Sequence, residues 1–328
     1  MTGTEPSSRI RSHFTEASTA SEVLEGVDLT GKTAIVTGAS SGVGIATARA
    51  LAKAGASVTM AVRNVAAGEA VAAEIARDCG VAKPRVERVD LLRLTSVAAF
   101  AERWGGRPLD ILINNAGLMA APFALTADGF ESQMAVNYFS PYLLTTMLVP
   151  NLIAAAPSRV VIVSSGAHCA SDIHLDDLNY ARRPYDRFAA YGHAKTAANL
   201  FAVAFTRRFA TKGVTANALT PGAVSTNLGR HVTVQDAIDK GWLKEDGTAA
   251  EGMMKDIDQG AATSVWVATA PELDGIGGLY FEDCQQARPW DAANPIKGVT
   301  DYSLDPINAD LLWEVSDELI ADALDQAA

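Results

Sequence analysis

Tyr191 and Lys195 stand four residues apart in Tyr191-Gly-His-Ala-Lys195, so on a helix they share one face, one turn above the other. A lysine ammonium beside a phenol favours the phenolate. Free tyrosine titrates near pH ~10, and a lowered value would make it a usable proton donor and acceptor near neutrality. The pair is a candidate acid/base device, although the same spacing arises by chance on ordinary solvated helices. The second chemical stretch is Thr37-Gly-Ala-Ser-Ser-Gly-Val-Gly44, far upstream. It follows the apolar run Lys32–Thr37, read as a buried parallel strand, and opens an Ala-rich helix over Ile45–Ala54. Strand, glycine turn and helix together make a phosphate cradle: Gly38, Gly42 and Gly44 permit a tight turn and close backbone approach. Ser40, Ser41 and Val43 complete the loop, and the helix start offers free N–H groups and partial positive charge. A plain strand-to-helix turn is the blander reading.

The elements that position these residues alternate along the chain. Strand Ser57–Val62 ends at Arg63-Asn64, where a dinucleotide fold faces the adenosine ribose. An acidic residue there would favour NAD; a guanidinium can clamp a 2′-phosphate, so Arg63 points to NADP, with NAD as the alternative if Arg63 only stacks on adenine. A helix over Val65–Cys79 leads to a third strand, Arg85–Val89, ending at Asp90-Leu91, where Asp90 either meets the adenine ring or caps the next helix. After the helix Thr95–Trp104, the strand Leu109–Ile113 delivers Asn114-Asn115-Ala116-Gly117, small enough for backbone to lie against a ligand. One long helix is expected over Phe130–Leu148, carrying Asn137, an amide that needs partners if buried. Strand Arg159–Val163 delivers Ser164-Ser165, of which Ser165 should face the site and Ser164 away from it. The helix Tyr191–Arg208 and the strand Val214–Leu219, ending at Thr220-Pro221-Gly222, follow. His168 and His193 have no sequence partner and read as structural or exposed. Six strand–helix alternations predict an α/β doubly wound parallel sheet (a Rossmann fold) in a single domain, with every candidate residue at the strand ends where such sheets bind ligands.

With these motifs in this order, the sequence resembles the short-chain dehydrogenase/reductase family over roughly residues 29–285. Val62-Arg-Asn64, Asp128-Gly-Phe130, Val136-Asn-Tyr138 and Ser164-Ser-Gly-Ala-His168 are similar to its retinol-dehydrogenase-like and WW-domain-oxidoreductase-like branch. The resemblance implies a catalytic tetrad of Asn137, Ser165, Tyr191 and Lys195, and contacts to the nicotinamide end from Pro221, Gly222, Val224 and Thr226. Ser165 would orient a carbonyl and Tyr191 exchange the proton. Lys195 would lower the tyrosine pKa and hold a ribose hydroxyl, and Asn137 would anchor a relay water. Many NADP-preferring members carry a basic residue where this chain has Ser41, so the NADP expectation rests on Arg63. Reduction of a C=C bond on the same scaffold, and a dinucleotide-sensing protein without catalysis, are the other readings; the filled tetrad speaks against the latter.

Composition limits the rest. A net charge of −11 on 328 residues and the lack of Lys/Arg runs argue against a nucleic-acid partner. Cys79, Cys169 and Cys284 form neither a metal-ligand nor a disulfide pattern, which fits a reducing cytoplasm and no metal. Neither a signal peptide nor a membrane-spanning run is expected. Residues 1–28 read as a polar arm, mobile or draped on the surface, 29–285 as the catalytic domain, and 286–328 as a C-terminal extension. Residues 227–260 read as an irregular polar lid containing Leu228, Trp242, Leu243, Met253 and Met254, which favours an apolar small-molecule carbonyl or alcohol substrate. Ala261–Ala270 reads as a helix, Gly278–Phe281 as the last strand and Ala309–Leu324 as a one-faced helix (Leu311, Leu312, Val315, Leu319, Ile320, Leu324) that caps this subunit or docks on another. Family habit implies a homo-oligomer.

Overall fold

The computed structural model describes residues 9–248, 254–295 and 297–327. Eight strands form one sheet: β1 Thr33–Thr37, β2 Ser57–Val62, β3 Arg85–Arg88, β4 Ile111–Asn114, β5 Ser158–Val163, β6 Val214–Thr220, β7 Tyr280–Glu282 and β8 Gln285–Gln286. Their order is β3-β2-β1-β4-β5-β6-β7-β8, parallel except for the final β7–β8 pair. The chain leaves β1 in one direction and returns at β4 to build the other half, with Ala34 beside Ile111 and Val36 beside Ile113. The order therefore reverses between β1 and β4, and a crevice opens above their C-terminal ends. Helices cover both faces, so the strands are apolar runs rather than alternating ones. Ala34 and Val36 face one core with Trp266 and Phe281, and Ile35 and Leu112 face the other with Tyr138, Tyr142 and Phe201.

The expected helix over Phe130–Leu148 runs without a gap from Ser132 to Met147 but is irregular. A helical turn at Ser132–Met134 passes into a π-helix over Ala135–Phe139, then an α-helix over Ser140–Met147. Pro141 supplies the reason: it has no N–H to give the carbonyl four residues back, which is that of Asn137. The helix carrying Tyr191 is longer than expected, Arg187–Phe209, and starts at Asp186, whose carboxylate accepts from the N–H groups of Phe188 and Ala189. The lid is less irregular than its composition suggests. A 3-10 turn spans Asn227–His231 and a short helix Val234–Asp239, and helix Ile257–Thr269 begins inside the expected boundary; Met253 lies outside the described residues.

From residue 9 onward the N-terminal arm is draped rather than free, while residues 1–8 lie outside the described part. Arg11 bridges Gln285, and Gln286 exchanges hydrogen bonds with Ile10, so the arm covers the edge strand. The C-terminal helix, Pro306–Ala327, caps this chain. It buries Ala309, Leu312 and Ile320 in the core that contains the Tyr191 helix. The Tyr138 and Ser316 hydroxyls meet at 2.6 Å, and the Tyr142 hydroxyl donates to Asp317 at 2.6 Å. Leu311, expected on the inner face, is exposed. Among the described residues no helix is long and apolar enough to cross a membrane, and no group of His, Cys, Asp and Glu could hold a metal ion.

Candidate active site

The turn has no room for a side chain at its three glycines. Gly38 (φ +69°) would place a Cβ 2.9 Å from Ala116 Cα, and Gly42 (φ +56°) one 3.0 Å from the Thr226 methyl. A Cβ on Gly44 would lie 2.6 Å from Asn115 Nδ2 and 2.7 Å from the Gly38 carbonyl oxygen. Helix Val43–Lys53 starts at Gly42 with no side-chain cap; the Ile45 N–H donates to the Gly42 carbonyl at 3.1 Å, and among the described residues the N–H groups of Val43 and Gly44 have no partner, as an anion cradle requires. Among the described residues the Ser40 and Ser41 hydroxyls have no hydrogen-bond partner, and Ser41 is exposed. The end of β4 is pinned to the end of β1: Asn115 Nδ2 donates to the Thr37 carbonyl at 2.8 Å, and the N–H groups of Asn115 and Ala116 donate to Thr37 Oγ at 3.0 Å. The sequence pattern did not single out Thr37 as the anchor of this floor. These tight, uncapped surfaces fit a dinucleotide pyrophosphate.

At the β2 end Arg63 is exposed and forms no ion pair among the described residues. Asn64 and Asp90 are used locally. Asn64 Oδ1 accepts from the Ala67 N–H at 3.1 Å and caps helix Val65–Cys79; Asp90 Oδ1 accepts from the Leu92 N–H at 3.1 Å inside a local turn and does not cap helix Leu94–Trp104, whose cap position is Arg93. Leu91 is buried, with its carbonyl taken by the Ser140 hydroxyl at 2.7 Å. At the β6 end, Pro221 leads into Gly222 (φ +83°), where a Cβ would meet the Lys255 side chain at 3.1 Å. Val224 bridges Lys255, and Thr226 Oγ caps the 3-10 turn by accepting from the Leu228 N–H at 3.3 Å. The loop from Pro221 to Thr226 therefore closes over Gly42.

Asn137, Ser165, Tyr191 and Lys195 gather at the other side of this crevice. Gly117 joins the two regions: its missing Cβ would lie 3.1 Å from Asn137 Oδ1 and 3.8 Å from Lys195 Nζ. Both amide protons of Asn137 are committed, to the Leu118 and Gln133 carbonyls at 2.8 and 2.9 Å, while Oδ1 accepts from the Leu118 N–H at 3.1 Å. Lys195 Nζ donates to the Val163 carbonyl at 2.9 Å and sits 5.5 Å from the centre of the Tyr191 ring. Ser165 Oγ accepts from the Ala167 N–H at 3.1 Å; Ser164 turns the other way, donating to the Lys195 carbonyl at 3.1 Å. Burial dominates the electrostatics. It pushes the Tyr191 phenol up to about 12, partly offset by the Ser165 hydroxyl, and pulls Lys195 down to about 7. This runs against the lowered phenol value expected from spacing, because loss of water penalises the phenolate and the ammonium alike.

The lid is fastened to the same helix by contacts that sequence reasoning missed. Arg187, one turn before Tyr191, holds Asp236 through two contacts of 2.6 Å and the His231 carbonyl at 2.7 Å. Phe188 meets Trp242 edge to face at 6.3 Å, with Lys240 over its ring. No local signal marks a pair 49 residues apart.

His168 and His193 are both buried, so the exposed alternative does not hold. Burial drives them down, to about 4 and about 3. They stay neutral in the fold, while the unfolded chain takes up protons below its ordinary histidine value of about 6.5. More protons then bind the unfolded chain, so their stability is complete above about pH 6.5 and lost as pH falls toward 4. Urea melts at pH 7.5 and 4.5 should differ by about 2–3 kcal/mol per histidine; equal stability at both values would refute the neutral assignment.

The family model described as short chain dehydrogenase matches residues 32–237. The chain is 46% identical to the "Probable oxidoreductase" of Streptomyces lividans over 291 residues, covering 88% of this chain and 97% of that one. It is 40% identical to retinol dehydrogenase 13 of Mus musculus over 261 residues, 79% of this chain and 78% of that protein. A short chain dehydrogenase from Burkholderia cenocepacia solved in complex with NADP superposes with a TM-score of 0.60 at 25% identity, covering 77% of this chain and 96% of that one. With the parallel sheet, the glycine-lined cradle and the motif order already described, these likenesses lead to one conclusion: the chain belongs to the short-chain dehydrogenase/reductase family, on the retinol-dehydrogenase-like branch, and is an NAD(P)-dependent oxidoreductase.

Proposed function

We propose that the protein interconverts a small-molecule carbonyl and its primary or secondary alcohol with NADP, Tyr191 acting as the acid/base. The observation that carries this reading is the buried Tyr191–Lys195 face set against Gly117 at the closed end of the cradle. Gly38, Ser40, Ser41, Gly42, Val43 and Gly44 would hold the pyrophosphate, and Asn115, Ala116 and Gly117 the floor beneath the ribose. Arg63, Asn64, Asp90 and Leu91 would border the adenosine, and Pro221, Gly222, Val224 and Thr226 the nicotinamide. When bound, the nicotinamide supplies or accepts a hydride. Ser165 donates a hydrogen bond to the substrate oxygen and orients it. Tyr191 gives its proton to that oxygen during reduction and takes it back during oxidation. Lys195 is placed to hold a ribose hydroxyl. The side chain of Asn137 is spent on Leu118 and Gln133, so a relay water would sit on its main-chain carbonyl, which Pro141 deprives of its usual helical partner.

Leu228 of the lid, whose Cδ1 would lie 3.6 Å from a Cβ on Gly117 beside Asn137 and Lys195, supports an apolar substrate. A homo-oligomer would need a surface other than the Tyr191 helix, which the C-terminal helix covers. Three free thiols suit a reducing cytoplasm. NAD is the second reading, favoured by the uncharged, exposed Ser41. Titration of nicotinamide fluorescence decides between them. Arg63→Ala is expected to weaken NADPH binding about 10- to 100-fold, the worth of one charge-assisted contact, and to leave NADH binding unchanged. Equal NADPH and NADH affinity in the unsubstituted protein would remove that role from Arg63, and binding of neither would overturn the reading.

A further inference from the structure

We propose that His168 is a positioning residue for Ser165, and that the C-terminal extension completes it through Thr300 and Tyr302. The inference rests on the role given to Ser165 above. Ser165 has extended backbone (φ −166°, ψ 152°) and precedes the 3-10 turn Gly166–Ala170. His168 folds back within that turn: its Nδ1 lies 2.8 Å from the Ser165 carbonyl. Its Nε2 faces the Thr300 N–H at 3.4 Å. A backbone N–H can only donate, so Nε2 is the acceptor and the ring proton sits on Nδ1, where it donates to Ser165. The ring is buried 4.7 Å from that of Tyr280.

The His168 main chain ties two further elements. Its carbonyl accepts from the hydroxyl of Thr196, the residue after Lys195, at 3.1 Å, and from that of Tyr302 at 2.8 Å. The turn lies flush on the catalytic helix beside Tyr191: a Cβ on Gly192 would come within 2.6 Å of the Ala167 carbonyl. A shift of this turn therefore changes the separation of Ser165 and Tyr191 directly. An ordinary core histidine would need only its volume filled. A positioning residue needs its Nδ1–H donor.

His168→Leu fills the volume without the donor, and His168→Asn restores an N–H near the Nδ1 position. With NADPH and a panel of benzaldehyde, hexanal and citral, His168→Leu is expected to lose about 10²-fold in kcat, the usual cost of displacing a reacting group by about 1 Å. NADPH affinity should stay the same, and His168→Asn should recover most of the rate. A crystal structure of His168→Leu should show Ser165 Oγ displaced. Unchanged kcat, Ser165 left in place, an equal loss in His168→Asn, or NADPH affinity falling in step with the rate would each overturn the proposal. If His168→Leu does not fold, Tyr302→Phe carries the test: lower kcat with intact NADPH binding supports the proposal, and unchanged kcat overturns it. Ser165→Ala separates the two levels. Full activity in that variant sinks the role of Ser165 itself, whereas its loss beside an unaffected His168→Leu sinks only this inference.

Discussion

Tyr191→Phe is expected to cut kcat in both directions by about 10²- to 10⁴-fold, the worth of a positioned general acid/base, while NADPH still binds. The substitution removes one oxygen and keeps the ring, so the packing of a residue only 4% exposed is preserved. What disappears is the proton held beside Ser165. The direction of the pKa shift adds a pH signature. With the phenol pushed up to about 12, the protonated form dominates through neutrality. Reduction needs that form, so the phenol imposes no fall in its rate between pH 6 and about 9, and a step near pH 7 would belong to Lys195. Oxidation needs the phenolate, whose share grows about tenfold per unit below the pKa, so its rate should climb over the same range. Steady-state rates in both directions, with dinucleotide fluorescence as the binding control, check this. A variant that kept substantial turnover would remove Tyr191 from the chemistry.

The sheet was legible because its strands are short apolar runs ending in glycine or small polar residues, as at Val36-Thr37-Gly38 and Ile113-Asn114. Period and punctuation are local properties. The failures involve properties that are not local. Asn64 and Asp90 lie at the strand ends where a ligand is expected, yet their side chains satisfy nearby N–H groups, since Asn and Asp bond their own backbone readily. The one-faced pattern of the C-terminal helix gave its apolar side but not the surface it meets, and partners such as Tyr138 for Ser316 lie 178 residues away. The π-helix at Asn137 could have been found, since Pro141 stands four residues later and must break the helical bond to that carbonyl. Spacing brought Lys195 near Tyr191 but was silent on how much water the fold removes, and burial reversed the expected shift of the phenol.

Gly44→Ala sets two ordinary effects against each other. Gly44 is the second residue of helix Val43–Lys53, and it is not among the glycines with positive φ. On helix propensity alone, alanine should stabilise the protein by up to about 1 kcal/mol. The added methyl, however, would stand 2.6 Å from Asn115 Nδ2, 2.7 Å from the Gly38 carbonyl oxygen and 3.0 Å from Ala39 Cα. Asn115 can swing away only by giving up its 2.8 Å bond to the Thr37 carbonyl, and the other two atoms belong to the turn itself. Overpacking of this kind costs about 1–3 kcal/mol, so sterics should win and the melting temperature should fall. The dinucleotide should suffer more than the fold, because the displaced atoms form the floor and wall of the cradle. A loss of affinity of at least about tenfold, the equivalent of roughly 1.4 kcal/mol, is expected for NADPH and NADH alike. That common loss distinguishes this substitution from Arg63→Ala, which should touch NADPH alone. A Gly44→Ala protein that melted higher and bound both dinucleotides normally would mean that the turn is a plain strand-to-helix connection and that the phosphates lie elsewhere.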